Sequence, residues 1–317
     1  MNFPVFDLHC DTALVLLGKD LLGGNSLRKN DTHIDLERAK KLPGYAQCFA
    51  CFTTPEFRQW YQVSPLIAFE REMGAILSQI EENNDLIRQV YSAQEVRENY
   101  ERGLMSGILT IEGPAGFDFD PELLQDLYTV GFRISTLGWN EQNVLTGSQA
   151  TGGGLTDLGK EYVREAQRVG MIVDVSHISD QGFWDIMEIT DKPIIASHSN
   201  SRAVWDAPRN LTDDMFRAIC QTGGVAGINQ YAQFLGDKPD LDTVCDHILH
   251  FLELDPDGNH IALGGDLDGC DELAVGFDGV QSYPDMACRL LARGVGEKIV
   301  RKIYWDNALE VMEKCCI

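Results

Sequence analysis

Basic residues are scarce in this sequence. Its 317 residues include 49 aspartates and glutamates but only 26 lysines and arginines, which gives a formal net charge of −23. A surface of that sign repels phosphate backbones and anionic lipid headgroups at long range. We therefore expect neither nucleic acid nor a membrane surface among the partners. With 44% hydrophobic and 24% charged residues, the composition is otherwise that of a soluble globular protein.

Long apolar runs are also missing. No stretch approaches the roughly 18 apolar residues of a membrane-spanning helix. The N-terminal MNFPVFDLHCDT leads directly into a strand-like run, without the basic and apolar regions of a signal peptide. The C-terminal Glu313-Lys-Cys-Cys-Ile has no apolar tail. We expect a mature chain that starts at or near Met1 and a cytoplasmic location.

The cysteines lack the pattern of a disulfide framework. Their number, nine, is odd, and they are scattered through apolar segments, which favours a reducing compartment. Cys48 and Cys51 have redox-motif spacing, but they lie in an apolar run and no second pair completes a zinc site. We interpret them as core residues.

Nothing in the sequence marks a domain boundary. It has no low-complexity segment, no Pro/Ser-rich linker and no repeat of fixed period, so we expect one domain spanning residues 1–317. Short apolar runs of strand length recur along the chain. The eight candidate strands are residues 5–9, 46–52, 107–111, 134–137, 171–176, 194–197, 223–228 and 261–264.

Helical patterns lie between these runs. Apolar residues follow a 3.6-residue period through 66–80 and 158–169, with Gly170 as a stop signal, and Ser179 and Thr212 are N-cap signals for later helices. Near-continuous apolar runs indicate parallel strands covered on both faces. This alternation predicts an α/β fold, and eight strands favour a (β/α)₈ TIM barrel. A doubly wound open sheet gives the same alternation and is the alternative.

Polar residues recur at the carboxyl ends of the candidate strands, where barrel enzymes place their chemistry. They are His9, Asp11, Glu112, His177, His198 and Asp266. Because successive strand residues point to opposite faces, His9 and Asp11 share one face and can bind one metal ion. Glu112 can bridge to a second metal ion held by His177 and His198. Nitrogen and oxygen ligands of this kind suit Zn²⁺ in a two-metal hydrolase.

Each of these residues also has an ordinary structural explanation. A single histidine at a strand end is usually a hydrogen-bonded structural residue, and Gly-Gly-Asp is usually a turn. Their joint occurrence at one end of separate strands favours the metal centre. The remaining histidines lack this context, and we expect no metal binding from His33, His247, His250 and His260.

The motifs at these strand ends resemble those of the renal, or membrane, dipeptidase family of zinc peptidases. In chain order they are Asp7-Leu-His9-Cys-Asp11, Ile111-Glu112-Gly113, Gly154-Leu-Thr-Asp-Leu-Gly-Lys, Val173-Asp-Val-Ser-His177, Ser197-His-Ser-Asn-Ser-Arg-Ala-Val, Pro208-Arg-Asn-Leu-Thr-Asp and Gly264-Gly-Asp-Leu-Asp-Gly. The third of these is typical of bacterial members. The motifs extend from the first strand nearly to the C-terminus, and together they are specific.

The resemblance implies a barrel of the amidohydrolase type that holds two Zn²⁺ ions. It also implies hydrolysis of dipeptides, often including L-Xaa-D-Xaa substrates, by a metal-bridging hydroxide. By the same resemblance, His9 and Asp11 match ligands of one zinc ion. His177 and His198 match ligands of the other, and Glu112 matches the bridging ligand, which we count as catalytic as well.

Two further residues match catalytic and substrate-binding positions of the family. Asp266 matches the aspartate beside the bridging water, where it would transfer the proton. Arg209 matches the arginine that binds the free carboxylate of the substrate, and a structural salt bridge is the alternative role for this arginine. The expected partner is a small dipeptide substrate, and a homodimer is an assembly that the sequence permits.

One position departs from the mammalian pattern. Mammalian members carry a histidine after the fourth strand that contacts the peptide carbonyl, and Trp139, followed by Asn140, stands at that position here. Either Asn140 or a metal ion takes over polarisation of the carbonyl, or the substrate differs. The mammalian members are also lipid-anchored ectodomains, which the termini of this chain do not match.

Two other functions stay open at this point. Another binuclear amidohydrolase could act on a lactone, a cyclic amide or a nucleobase. Many such enzymes begin with His-x-His and use a lysine bridge, whereas this chain has His9, Asp11 and Glu112. A non-catalytic barrel used only for binding would show lost ligands, and no ligand position is lost here. We therefore expect a dipeptidase.

Overall fold

The computed structural model describes residues 3–316, and in these residues nine parallel strands form one sheet. Their bounds are β1 Val5–Cys10, β2 Tyr45–Phe52, β3 Ile87–Gln89, β4 Met105–Glu112, β5 Phe132–Thr136, β6 Ile172–Asp174, β7 Ile194–Ala196, β8 Val225–Ile228 and β9 Ile261–Leu263. Met1, where we expect the mature chain to start, lies outside the described residues.

The sheet closes into an eight-stranded barrel. Strand β1 pairs with both β2 and β9, and β2 also pairs with β4, so the ring runs β1-β2-β4-β5-β6-β7-β8-β9 and returns to β1. This closure confirms the (β/α)₈ barrel, and the open doubly wound sheet is wrong. The eight ring strands match the eight predicted runs, with bounds that differ by at most two residues at either end.

Strand β3 is the strand that the sequence pattern does not predict. It pairs with the first half of β4, whereas β5 pairs with the second half of the same edge. Strand β3 therefore lies beside the barrel wall and is not part of the ring. Of its three residues only Ile87 is buried, and one buried residue leaves no periodic signal in the sequence.

Within residues 3–316, thirteen α-helices accompany the strands, and a π-helical segment, Lys302–Asp306, joins the last two. The helices are α1 Thr12–Leu17, α2 Leu36–Ala39, α3 Phe57–Trp60, α4 Pro65–Glu82, α5 Ala93–Glu101, α6 Leu124–Val130, α7 Asp157–Val169, α8 Asp180–Ile189, α9 Asp213–Thr222, α10 Leu241–Leu254, α11 Tyr283–Ala292, α12 Glu297–Arg301 and α13 Asn307–Cys315. Most of the longer helices connect consecutive ring strands, as a (β/α)₈ fold requires.

Local signals in the sequence set the ends of several helices. The side chain of Ser179 accepts a hydrogen bond from the backbone N–H of Gly182 at the start of α8, and Thr212 does the same for Met215 at the start of α9. Gly170 ends α7 with φ of 99°, a conformation that glycine adopts at low cost. The predicted caps and the predicted stop are thus confirmed.

The C-terminal segment closes one end of the barrel. A buried cluster joins residues of the ring strands, among them Phe6 and Ile195, to Trp305 and Met312. The rings of Phe6 and Trp305 meet edge to face with centroids 6.0 Å apart. Because this packing occupies the end where the strands begin, polar side chains can gather at the opposite, carboxyl ends of the strands.

The cysteines in residues 3–316 form no disulfide. All nine are free, and both Cys48 and Cys51 are buried in β2. Their interpretation as core residues is therefore confirmed. In this same part of the chain, no helix combines the length and the apolar character that crossing a membrane would demand.

Two glycines allow strands β7, β8 and β9 to approach one another closely. A Cβ atom on Gly264 would lie 1.6 Å from the carbonyl oxygen of Ser197, and a Cβ atom on Gly227 would lie 1.9 Å from the same oxygen. Neither position has room for a side chain. Gly264, the first residue of the Gly-Gly-Asp motif, is therefore needed for strand approach as well as for the turn.

We predict that Gly264→Ala lowers the free energy of unfolding by about 1–3 kcal/mol, because the added methyl group must displace backbone atoms. The matched control is Gly74→Ala on α4, where no atom lies within 4 Å of the added methyl group. This control should raise the free energy of unfolding by about 0.5–1 kcal/mol. Urea denaturation measures both effects, and a Gly264→Ala protein as stable as the wild type would contradict the close approach.

Candidate metal centre

The polar residues predicted at strand ends all lie at the same end of the barrel. In chain order they are His9 in β1, Asp11 directly after β1, Glu112 at the end of β4, His177 after β6, His198 after β7 and Asp266 after β9. Five of the six side chains are buried, and Asp266 is half-buried. The register between β1 and β2 shifts between Asp7 and Cys10, and such a bulge re-aims side chains at a barrel rim.

Glu112 lies between the histidines of the site. Its Oε2 atom is 3.4 Å from Nε2 of His9. Its Oε1 atom is 2.9 Å from Nε2 of His177 and 3.8 Å from Nε2 of His198. The two carboxylate oxygens therefore face different histidines, which is the arrangement that a bridging ligand needs.

His9 connects two groups of potential metal ligands. Its Nε2 atom lies 3.5 Å from Oδ2 of Asp11 and 3.8 Å from Oδ1 of Asp266. One group consists of His9, Glu112 and His198, and the other of His9, Asp11 and Asp266. Within each group the ligand atoms all lie within 4.8 Å of one another, so each group is compact enough to surround an ion.

The Nε2 atoms of His177 and His198 face each other at 2.9 Å. Nδ1 of His177 lies 3.0 Å from Oδ1 of Asn140, which can only accept, so this Nδ1 carries a hydrogen. The Ser197 hydroxyl donates to Asp174 and therefore accepts from Nδ1 of His198 at 2.7 Å. Burial lowers the pKa of both imidazoles well below the usual value. When both rings are neutral, the lone pairs on the two Nε2 atoms face each other and repel. A cation bound between them would remove this repulsion.

A loop after β5 orients His177. The backbone N–H of Ala150 donates to Oε1 of Gln149 at 2.7 Å, which leaves Nε2 of Gln149 to donate to Oδ1 of Asn140 at 2.7 Å. The backbone N–H of Gln149 also donates to the carbonyl oxygen of His177 at 2.9 Å. His177 has φ of 69°, and a left-handed non-glycine residue of this kind costs about 1–3 kcal/mol unless its surroundings hold it.

This loop gives Asn140 a role that the sequence did not suggest. Its side-chain oxygen accepts hydrogen bonds from His177 and Gln149, whereas polarising a substrate carbonyl would use its Nδ2 donor, so that expectation stays a prediction. Its contact fixes the protonated nitrogen of His177 and so frees the other nitrogen for a metal ion. Sequence reasoning missed Gln149, because no periodic pattern marks a hydrogen bond within an irregular loop.

Negative charge is concentrated and buried in the site. Burial, together with repulsion from Asp11, raises the pKa of Glu112 to about 8. Burial also raises the pKa of Asp266. Burial lowers the pKa of His9, but the nearby carboxylates of Glu112 and Asp11 outweigh it, and the net pKa is well above the usual value. A bound cation would stabilise the ionised form of all these carboxylates.

The ligand atoms available at this site fit a metal ion. Nε2 of His9 is buried without a hydrogen-bond partner, although three carboxylate oxygens lie 3.4–3.8 Å away. An unpaired buried polar atom costs about 1–3 kcal/mol, and ligation of a metal ion would remove that cost. Imidazole nitrogens with carboxylate oxygens are ligands that zinc and neighbouring transition metals accept.

Asp266 has one carboxylate oxygen anchored and one oriented into the site. Its Oδ2 atom accepts a hydrogen bond from Nδ2 of Asn229 at 2.9 Å, while its Oδ1 atom faces His9. Its backbone is left-handed, with φ of 56°, and its N–H donates to the carbonyl oxygen of His9 at 3.2 Å. Asn229 follows β8, a strand end for which the sequence offered no candidate.

Arg209 is buried beside the site without an acidic partner. Its Nη1 atom donates to the Ser199 hydroxyl at 3.3 Å, and its Nη2 atom donates to the carbonyl oxygen of His198 at 3.4 Å. Its guanidinium lies over the ring of Phe234 at 5.4 Å, and its Nε atom has no hydrogen-bond partner. Since no ion pair to Arg209 forms within residues 3–316, the alternative of a structural salt bridge is wrong.

The other four histidines form ordinary hydrogen bonds and lie outside the two groups of potential metal ligands. Their partners are the Asp268 backbone N–H for His33, the Leu235 carbonyl for His247, the Asp213 carboxylate for His250 and the Gly224 carbonyl for His260. In the part of the chain that the structure describes, none of them belongs to a candidate metal group.

A cavity of about 210 Å³ opens onto the site. A cavity of this volume has room for a small ligand. One part of its wall carries carboxylates and an imidazole, and the other part is apolar. The lining residues are Asp11, Leu14, Phe52, Glu112, Trp139, Asn140, His177, Tyr231, Phe234, Asp266, Asp268 and Gly269.

The sequence and the fold of this chain match those of known proteins. A sequence model for the family described as membrane dipeptidase (Peptidase family M19) matches residues 1–316. An uncharacterized dipeptidase of Schizosaccharomyces pombe is 34% identical over 224 residues, covering 68% of this chain and 55% of that protein. The dipeptidase verJ of Clonostachys rogersoniana is 30% identical over 330 residues, covering 98% of this chain and 84% of that protein. The chain thus aligns with only about half of the yeast relative.

A solved structure shares the fold over the whole chain. It is a metallo peptidase from Rhodobacter sphaeroides that is liganded with a phosphinate mimic of the dipeptide L-Ala-D-Ala. The TM-score is 0.88 at 25% sequence identity, with 99% of this chain and 100% of that chain covered.

We predict that Asn140→Leu lowers the affinity of the protein for divalent metal ions by about 10- to 100-fold, the usual range for a group that orients a ligand. Leucine has a similar size but accepts no hydrogen bond from Nδ1 of His177. Competition with a chromogenic chelator measures the affinity, and Asn84→Leu on the exposed surface is the matched control. An unchanged affinity in Asn140→Leu would contradict the orienting role.

Proposed function

This chain belongs to the membrane dipeptidase family, as its motifs predict, and we propose that it hydrolyses dipeptides at the metal centre. One observation carries the proposal. A buried arginine without an acidic partner lies next to a compact set of metal ligands, and a cavity of dipeptide size opens onto that set. The arginine supplies a receptor for a substrate carboxylate, and the ligands supply a place for hydrolysis.

We propose that the metal ions are two Zn²⁺ per chain. His9 and Asp11 would hold one ion, His177 and His198 would hold the other, and Glu112 would contact both. The different directions of the two Glu112 oxygens support this assignment. When bound, the ions would lower the pKa of a water molecule toward about 7 and polarise the scissile carbonyl.

Asp266 is the residue that we assign to proton transfer. Asn229 anchors its Oδ2 atom, which leaves Oδ1 available toward His9 and the interior of the site. In hydrolysis this oxygen would accept the proton of the attacking water and then deliver it to the leaving amine, as a general base followed by a general acid. Burial raises the pKa of Asp266, which moves it toward the value that a proton shuttle needs.

Arg209 is the residue that we assign to the C-terminal carboxylate of the substrate. Within residues 3–316 its Nε atom has no hydrogen-bond partner, and a guanidinium binds a carboxylate through two parallel hydrogen bonds. Because the arginine lies beside the metal ligands, only a peptide with its free carboxylate one residue beyond the scissile bond can reach both. This geometry favours dipeptides over longer peptides.

We also propose that L-Xaa-D-Xaa dipeptides are among the substrates. The support is the Rhodobacter sphaeroides relative, whose structure contains a mimic of L-Ala-D-Ala. A lactone or a cyclic amide has no free carboxylate and would leave Arg209 unpaired, so the second hydrolase function is less well supported. A non-catalytic role is less well supported, because His9, Asp11, Glu112 and His198 all belong to the two compact groups of potential ligands and Nε2 of His177 lies 2.9 Å from Glu112.

Other expectations stay proposals. We propose one barrel domain over residues 1–317. We also propose a cytoplasmic location, supported by nine cysteines that all remain free. A homodimer stays a prediction without further support.

We predict that Asp266→Asn lowers kcat by about 10²–10⁴-fold, the range for loss of a general acid–base group, and that the protein keeps its zinc. Steady-state kinetics together with elemental analysis separate the two effects. Asp257→Asn, on an exposed loop, is the control and should behave as the wild type. Loss of zinc from Asp266→Asn would identify Asp266 as a ligand and contradict the assigned role.

Amidation of the substrate tests the role of Arg209. Replacing the free carboxylate of a good dipeptide by an amide should cost about 2–3 kcal/mol in kcat/KM, or roughly 30–150-fold. Arg209→Met should show a similar loss toward the free dipeptide and little further loss on amidation, because one interaction cannot be removed twice. Arg217→Met, at an exposed arginine, is the control. Equal cleavage of free and amidated dipeptides by the wild type would refute this reading.

A further inference from the structure

One side of the cavity is apolar and comes from three separate segments of the chain. We call Leu14, Phe52 and Trp139 the aromatic wall, because all three line the cavity and two are aromatic. Leu14 lies in α1, Phe52 ends β2, and Trp139 follows β5. These three side chains are uncharged and border the polar groups of the site, since Phe52 pairs with Glu112 in the sheet and the Trp139 ring lies 6.2 Å from the His177 ring.

Further aromatic rings support the wall from behind. The Trp139 ring lies 5.1 Å from the Phe52 ring and 5.8 Å from the Trp60 ring, which it meets edge to face. Phe57 in turn packs on Phe52 at 5.4 Å and on Trp60 at 6.0 Å. Aromatic pairs at these distances stabilise one another. Trp139 is thus held by its neighbours, so the wall presents a defined surface to a ligand.

Phe52, the member of the wall that ends β2, lies across the barrel from Arg209. In the ring order, β2 and β7 are four strands apart in either direction, so their carboxyl ends are on opposite sides of the rim. Phe52 ends β2, and Arg209 belongs to the loop that follows β7. A ligand whose carboxylate binds Arg209 therefore extends toward the wall.

A dipeptide offers only one residue on the far side of the scissile bond. Two extended residues cover at most about 7 Å, so a dipeptide held through its carboxylate by Arg209 extends its N-terminal residue away from that arginine, in the direction of Phe52. The C-terminal residue is placed near Arg209 and Phe234, and the N-terminal residue is placed against Phe52 and Trp139. The side chain of the N-terminal residue is then the part of the substrate that the wall can contact.

We infer that the aromatic wall selects dipeptides with a large apolar or aromatic N-terminal residue. This inference rests on the proposed function, since it takes a dipeptide bound through Arg209 as given. Burial of such a side chain against the wall is favourable, whereas a carboxylate there would lose its hydration without gaining a partner. Trp139 therefore acts as a residue that determines specificity.

The test compares dipeptides that differ only at the N-terminal residue. With the zinc-loaded protein, kcat/KM for Phe-Ala and Leu-Ala should exceed that for Gly-Ala by about 10- to 100-fold, the discrimination that an apolar pocket can supply. Asp-Ala should be cleaved more slowly than Gly-Ala. Trp139→Ala should reduce kcat/KM for Phe-Ala by about tenfold more than for Gly-Ala. Circular dichroism checks that the variant is folded.

Two further variants complete the design. Leu14→Ala alters the same wall from a different helix and should also reduce the preference for Phe-Ala, so the inference can be tested even if Trp139→Ala does not fold. Trp184→Ala removes an exposed indole from α8, away from the cavity, and should keep the preference of the wild type.

The outcomes separate this inference from the proposed function. Equal kcat/KM for Phe-Ala and Gly-Ala, or equal losses for both in Trp139→Ala and Leu14→Ala, would overturn the selectivity and leave the dipeptidase intact. Cleavage of no dipeptide by the zinc-loaded protein would overturn the proposed function and the selectivity with it.

Discussion

The opposed imidazole nitrogens of His177 and His198, 2.9 Å apart, are the constraint on which the site depends. In each ring the other nitrogen, Nδ1, donates a hydrogen bond, to Asn140 from His177 and to Ser197 from His198. The hydrogen of each neutral ring is therefore on Nδ1, and none lies between the two Nε2 atoms. Two lone pairs at this distance repel unless a positive charge lies between them. This arrangement supports the proposed metal centre, in which Glu112 would connect these two histidines to His9.

The barrel supplies the rigidity that this constraint requires. Parallel strands bring six residues, distant in sequence, to one rim, and glycines let the last three ring strands approach closely enough to hold them there. The left-handed backbone at His177 is held by a hydrogen bond from the loop after β5, and that at Asp266 by a hydrogen bond that its N–H donates to His9 in β1. A strained backbone of this kind persists where many surrounding contacts hold it, and such residues cluster at functional sites.

The sequence predicts the parts of the molecule that leave a local pattern. The ring strands are found because burial on both faces makes them continuously apolar, and the candidate ligands are found because parallel strands end at a shared edge. Gln149 is missed because it acts within an irregular loop that has no periodic pattern, and Asn229 is missed because its partner, Asp266, is distant in the sequence. The sequence marks Trp139 as a departure from a family pattern, but its packing against Phe52 and Trp60 depends on tertiary structure.

Anomalous X-ray diffraction from crystals of the zinc-loaded protein tests the central claim most directly. The account predicts two zinc peaks, one about 2.0–2.1 Å from Nε2 of both His177 and His198 and the other at the same distance from His9, with a Glu112 oxygen near each. A structure in which zinc binds elsewhere, while the two Nε2 atoms still face each other without an ion, would contradict it.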